Sequence, residues 1–174
     1  MPKSSKEKIE ADEKKILAVL GKNSNENIDS IAKKCGFSRQ KVWRIIKRLE
    51  NNKTIWGYHA VVDNEKIKKK SFIMLLKRSQ QPLGESISKI IKTSTAEIGK
   101  KVGVTVHYNA YLHGIYDWMF CFSADDIRQA KKFSELLTYE FSEFIREIHL
   151  LEEIFPLKKD QIINPNITKF KEYF

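Results

Sequence analysis

At 174 residues, 41% apolar and 31% charged, the sequence has a globular composition and room for two small domains. The apolar run Phe72–Leu76, which no other run exceeds, falls far short of the ~20 residues that span a bilayer. The N-terminal MPKSSKEKIEADEKK carries no apolar core of a secretory signal.

The net charge of +10 is unevenly spread: residues 1–70 hold 18 Lys/Arg against 9 Asp/Glu, and residues 71–174 hold 14 against 13. A basic module joined to a near-neutral one suggests that the first meets a polyanion while the second assembles or senses. Because no amphipathic helix with a broad exposed apolar face accompanies the charge, nucleic acid is favoured over membrane. The two cysteines, Cys35 and Cys121, lie inside apolar-periodic segments and read as buried free thiols, which fits a reducing cytoplasm.

Ile9, Ile16, Leu17 and Leu20 share one face of a first helix over about 9–20, with Gly21 at its stop. Asn27 is placed to cap a second helix whose Ile28, Ile31, Ala32 and Cys35 form one buried stripe. Gly36 suits a left-handed exit, Phe37 follows as an apolar plug, and Ser38 caps a third helix carrying Val42, Ile45, Ile46 and Leu49. Helix, short glycine-containing turn, helix is the helix-turn-helix pattern, whose second helix enters the major groove. On its outer face stand Arg39, Gln40, Trp43, Arg44 and Lys47, with Lys41 on the flank. Arginine can bond guanine O6 and N7, and glutamine adenine N6 and N7. Ser38 and the first N–H groups of the helix suit phosphates, and Lys33 and Lys34 are placed to hold the backbone. Trp43 either touches DNA or packs under the next segment. That segment, Thr54–Asp63, is rich in β-formers and predicts the hairpin of a winged helix-turn-helix.

The stretch FSRQKVWRIIKRLENNKTIWGYHAVVD resembles the Lrp/AsnC (feast/famine) regulators. The matching positions are Ser38, Val42, Arg44, Ile46, Arg48-Leu49-Glu50, Ile55, Gly57-Tyr58 and Val62-Asp63.

KIKKK, residues 66–70, reads as a solvated connection that can also touch phosphate. Beyond it, Phe72–Leu76 predicts a strand apolar on both faces. Pro82 fits the first turn of a helix buried through Leu83, Ile87, Ile90 and Ile91. Residues 102–113 alternate: Val104, Val106, Tyr108, Ala110 and Leu112 face one way, Thr105, His107, Asn109, Tyr111 and His113 the other. A turn at Gly114–Asp117, a strand through Trp118, Phe120 and Phe122, and a helix capped by Ser123 or Asp125 follow. Ile127, Ala130, Phe133, Leu137, Phe141 and Phe144 mark that helix, and a strand over 145–157 closes the fold. This is β-α-β-β-α-β, the ferredoxin-like order. Apolar residues on the second sheet face imply a partner sheet from another subunit.

The expected architecture is thus α+β: a winged helix-turn-helix over 1–63, a basic hinge over 64–70, a βαββαβ (RAM-like) domain over 71–157 and a tail over 158–174. The resemblance implies that the second domain dimerises sheet to sheet, as a homodimer or a tetramer or octamer built from it. It also implies an amino-acid or related small-molecule effector, bound at the turn matched by Gly114, Tyr116 and Asp117. Two departures stand out: residues 92–101 (KTSTAEIGKK) are longer than the family's usual join, and the tail offers Phe170, Tyr173 and Phe174 for packing.

No glycine-rich phosphate loop, HExxH, CxxC or nucleophile elbow occurs, so no catalytic residue and no cofactor is expected. Of the four histidines, His59, His107, His113 and His149, the pair on one strand face lies six residues apart, roughly 20 Å, too far to share a metal ion within one chain. The predicted function is a sequence-specific regulator binding double-stranded DNA. A weakly selective architectural DNA-binding protein and a sirohaem-decarboxylase-like enzyme on the same plan stand as alternatives. The phenylalanine-glycine and Asn-His-Arg segments expected of the latter are absent.

Overall fold

A computed structural model of the chain describes residues 3–80, 82 and 84–174. The chain divides into two compact units: residues up to Val61 together with Pro156–Phe174, and Val62–Phe155 between them. The charge follows this division, with 18 Lys/Arg against 9 Asp/Glu in the first unit and 14 against 13 in the second.

The first unit is built on α1 (Lys3–Leu20), α2 (Ile28–Cys35) and α3 (Arg39–Asn51). Their ends are set by local chemistry. The Asn27 side chain accepts from the Ser30 N–H, Gly36 turns the chain out at φ 70°, and Ser38 Oγ accepts from the Lys41 N–H. Between the helices Ile16, Ile31, Val42, Ile45 and Leu49 are buried, with Cys35 at the edge. Full burial of such side chains contributes about 1.5–3 kcal/mol each, and burial raises the Cys35 thiol above its ordinary pKa. Helix α1 begins earlier than its apolar stripe, because polar residues extend it toward the N-terminus.

The hairpin expected over 54–63 does not form. Ile55 tucks under the core, its N–H donating to the Leu49 carbonyl at 3.0 Å, but the following residues pair with no strand, and Trp56 is 95% exposed. β-Propensity fits a residue for a sheet without providing a neighbouring strand. The first unit's hairpin comes from the tail instead, where Lys158–Lys159 pairs with Ile162–Ile163. Asp160 takes the left-handed turn position at φ 51°. Its carboxylate lies 3.2 Å from His59 Nε2, and a Cβ on Gly21 would overlap the Gln161 amide. The tail thus touches the chain just after α1 and, at His59, in the segment that follows α3. A 3₁₀ helix, Ile167–Tyr173, follows.

The second unit runs β1 (Lys70–Arg78), α4 (Gly84–Lys92), α5 (Thr95–Lys100), β2 (Thr105–Tyr111), β3 (Trp118–Ala124), α6 (Ile127–Glu140) and β4 (Ile145–Glu153). The sheet order β2-β3-β1-β4, antiparallel throughout, is the ferredoxin-like order expected. One face, with Phe72, Met74, Leu76, Phe120 and Phe122, packs on Ile98 of α5 and on Ala130, Phe133 and Leu137 of α6. Phe133 stands edge-on to Phe120 and Phe122, with ring centroids at 6.0 and 5.1 Å.

Three local expectations are corrected. Within the long join, Ser94 Oγ accepts from the Glu97 N–H and starts α5, where Gly99 permits close approach to the Val104 carbonyl. With α5 covering the core, Ile90 of α4 packs against it, while Ile87 and Ile91 remain exposed; Leu83 lies outside the described residues. Helix α6 is capped by Asp126, which accepts from the Gln129 N–H, rather than by Ser123 or Asp125. Third, the alternation of residues 104–113 breaks at a bulge. Val106 pairs with Phe122 but Tyr108 with Cys121, so His107 is the extra residue. Beyond it the faces exchange: Asn109 and Tyr111 pair with Phe120 and Trp118 of the core face, while Tyr108 and Ala110 pair with Cys121 and Met119 of the opposite one. Asn109 thereby donates to Thr95 Oγ1 at 2.9 Å and accepts from the indole N–H of buried Trp118. His107 bonds Ser123 Oγ at 2.9 Å, and His113 lies beyond the end of β2. No cluster of metal-ligating side chains occurs among the described residues.

The second sheet face joins Ile73, Leu75, Met119 and Cys121, all half-buried, with Tyr108 and Leu151, about half exposed.

Candidate nucleic-acid interface

The face opposite the buried stripe of α3 is defined by helical spacing: Arg39, Gln40, Trp43, Arg44 and Lys47 project from one side. Arg39, Gln40, Trp43 and Arg44 line one open concavity of about 610 Å³, whose remaining wall is Ile28 at the start of α2. Trp43 is 52% exposed within it. Among the described residues, the side chains of Gln40, Arg44 and Lys33 make no hydrogen bond or ion pair, so these groups meet water.

The other expected residues are engaged to different degrees. Arg39 reaches Asp29 at 3.2 Å across an exposed gap, a contact worth roughly 0–1 kcal/mol and easily exchanged for another anion. Lys34 pairs with Glu26, and that hydrogen bond, helped by one from Ser30, holds the Glu26 carboxyl below its ordinary pKa. Lys47 pairs with Glu50 at 2.8 Å. Lys41 departs most from the face: its ammonium lies 2.7 Å from Asp12 on α1 and 3.9 Å above the Phe37 ring. Arg48 likewise turns back to Glu13 at 2.9 Å. Both steady α3 against α1.

Sequence reasoning did not find the role of Glu50 and Tyr58. The Tyr58 hydroxyl donates to Glu50 at 3.1 Å, tying the segment after α3 to the helix end. Lys47 first, then Tyr58, lowers the Glu50 pKa, while burial and then Glu50 raise that of Tyr58. Their eight-residue separation hides the contact from any helical or strand period.

In the second unit the turn residues Gly114, Tyr116 and Asp117 sit between β2 and β3. Asp117 accepts from the Arg78 N–H at 2.9 Å and lies 3.4 Å from the Arg78 guanidinium, while its own N–H donates to the Leu76 carbonyl. This aspartate therefore clamps the end of β1. Tyr116 packs edge-on to His149, with Lys77 5.5 Å from its ring centroid.

A three-helix unit with a basic face, joined in sequence to a ferredoxin-like sheet, defines the class of two-domain helix-turn-helix proteins. Residues 13–55 match the winged helix-turn-helix DNA-binding family. An uncharacterized HTH-type transcriptional regulator of Bacillus subtilis, YugG, is 37% identical over 60 residues, which are 34% of this chain and 36% of that one. The match thus spans about a third of the curated relative's length. Over most of the chain the likeness is structural. An AsnC family transcriptional regulator from Agrobacterium tumefaciens is similar with a TM-score of 0.62 at 18% identity, over 89% of this chain and 96% of that one. A Neisseria meningitidis transcriptional regulator solved with L-methionine gives 0.63 at 16%, over 89% and 96%. The chain has the Lrp/AsnC fold, in agreement with the resemblance drawn from residues 38–63.

Proposed function

We propose that the protein is a regulator that binds double-stranded DNA sequence-specifically, with α3 in the major groove. The observation that carries this is the solvent-facing set of Arg39, Gln40, Trp43 and Arg44, a mixture of base-reading side chains on a net-basic module. In this reading Gln40, Arg44 and, once released from Asp29, Arg39 read bases. Lys33, Lys34, Lys47 and the Ser38 end of α3 meet phosphates. Lys41 contributes positive potential from its place beside Asp12. Apolar residues on the open sheet face support pairing with a second copy, which would present two reading heads to half-sites about 34 Å apart or a multiple of that. The turn at Gly114, Tyr116 and Asp117 is the candidate effector site, where an amino acid's ammonium group would compete with Arg78 for the Asp117 carboxylate. L-Methionine is the first ligand to try.

Selection of bound fragments from random DNA, with the mass of the free protein measured alongside, tests the reading. A two-fold symmetric sequence should be enriched, and Arg44→Ala should lose discrimination between that sequence and random DNA. Binding without enrichment would favour the architectural alternative. Equal loss on both DNAs would remove Arg44 from base reading.

A further inference from the structure

We infer that Trp43 reads the C5-methyl group of a thymine, at or beside a base pair whose adenine is held by Gln40. The inference rests on the proposed DNA reading and adds a base identity to it. Trp43 occupies the centre of the basic face, half exposed, and shares its concavity with apolar Ile28 and polar Arg39, Gln40 and Arg44. No residue of 54–63 lines this concavity, and the indole is half open to solvent. Ring and aliphatic surface thus form an apolar floor rimmed by two guanidinium groups.

The duplex offers one partner for such a floor. On the major-groove edges of the four base pairs the thymine methyl is the one apolar group that projects into the groove; cytosine offers only a C5–H there, and the remaining recognition features are hydrogen-bond donors and acceptors. Gln40 lies three residues before Trp43, which puts the two side chains on neighbouring positions, about 5–6 Å apart at Cβ. Successive bases along a strand rise about 3.4 Å, so the pair spans the same or adjacent base pairs. An adenine bonded by the Gln40 amide brings its partner's methyl, or that of the next thymine, within reach of the ring. The indole N–H remains free to donate to an acceptor on the same edge.

The test replaces each thymine of the selected sequence, one at a time, with deoxyuridine, which removes the methyl and leaves every hydrogen-bonding group. Binding of the wild-type full chain should weaken about fourfold at one thymine position per half-site, the factor that one buried CH₂-sized group supplies. Trp43→Ala should bind the thymine and uracil forms equally, and Trp43→Phe should keep part of the difference. A wild-type protein indifferent to every uracil substitution would overturn the inference while leaving sequence-specific binding intact. So would a Trp43→Ala protein that still prefers thymine. If selection enriches no sequence, the regulator reading and this inference fall together. The uracil series on the wild-type protein needs no variant to fold.

Discussion

Ser38 caps α3 and, in the proposed reading, meets a phosphate, and substitution separates the two duties. Its Oγ accepts from the Lys41 N–H at 3.3 Å, with the backbone extended at φ −74°, ψ 150°. Loss of a serine cap costs about 0.5–2 kcal/mol. A 3.3 Å bond at an exposed position belongs to the middle or lower half of that range. Ser38→Ala should therefore cost about 1 kcal/mol, roughly a fivefold fall in the module's folded-to-unfolded ratio. Ser38→Asp restores an equally good cap and should return that stability, yet it sets a negative charge where the proposed interface meets phosphate. The assay pairs amide hydrogen exchange over the first turn of α3 with DNA affinity at two salt concentrations. Ser38→Ala should speed exchange about fivefold and weaken DNA binding modestly; Ser38→Asp should exchange like wild type and bind DNA much more weakly, most of all at low salt. Wild-type exchange in Ser38→Ala would refute the capping argument. Undiminished DNA binding by Ser38→Asp would place this helix end away from the backbone.

Other expectations follow from the same contacts. Asn109→Leu should lower the second unit's unfolding free energy by about 2–3 kcal/mol, because it strands the buried Trp118 N–H behind an apolar group, and Asn109→Ala by only about 1, since water can enter; denaturant titration would show the order, and a reversed order would contradict it. Removing residues 156–174 should raise hydrogen exchange around Gly21–Asn23 and Ile55–His59 while leaving β1–β4 protection unchanged. Glu26, held below the ordinary carboxylate range by Lys34 and then Ser30, stabilises the fold above that range and ceases to do so as pH falls through its depressed value. The stability difference between wild type and Glu26→Gln should accordingly be present at neutral pH and close in acid; a gap independent of pH would show that the charge plays no part.

The sequence was most legible where structure is local. Asn27, Gly36 and Ser38 announce their helix ends because each satisfies or releases backbone groups within three residues. The apolar stripes of α2 and α3 likewise set which face is buried, and so which residues face solvent. What escaped depends on distant partners. The run Val104–His113 alternates without fault, and only its pairing with Phe122 and Cys121 reveals that His107 is supernumerary. Lys41 looks like every other lysine of the basic face until Asp12, 29 positions earlier, is brought beside it. Residues 54–63 carry strand-forming side chains but have no strand to join, and the two adjacent acids Asp125 and Asp126 compete for a single cap position that backbone geometry awards to the second.

The return of residues 156–174 to the first unit has a consequence for biosynthesis. Helices α1–α3 leave the ribosome before the second unit, yet Gly21 and His59 wait for Gln161 and Asp160 until the entire second unit has been translated. The three-helix unit is begun before the sheet and completed after it, so a nascent chain can hold a formed sheet while the unit that flanks it in sequence is still unfinished.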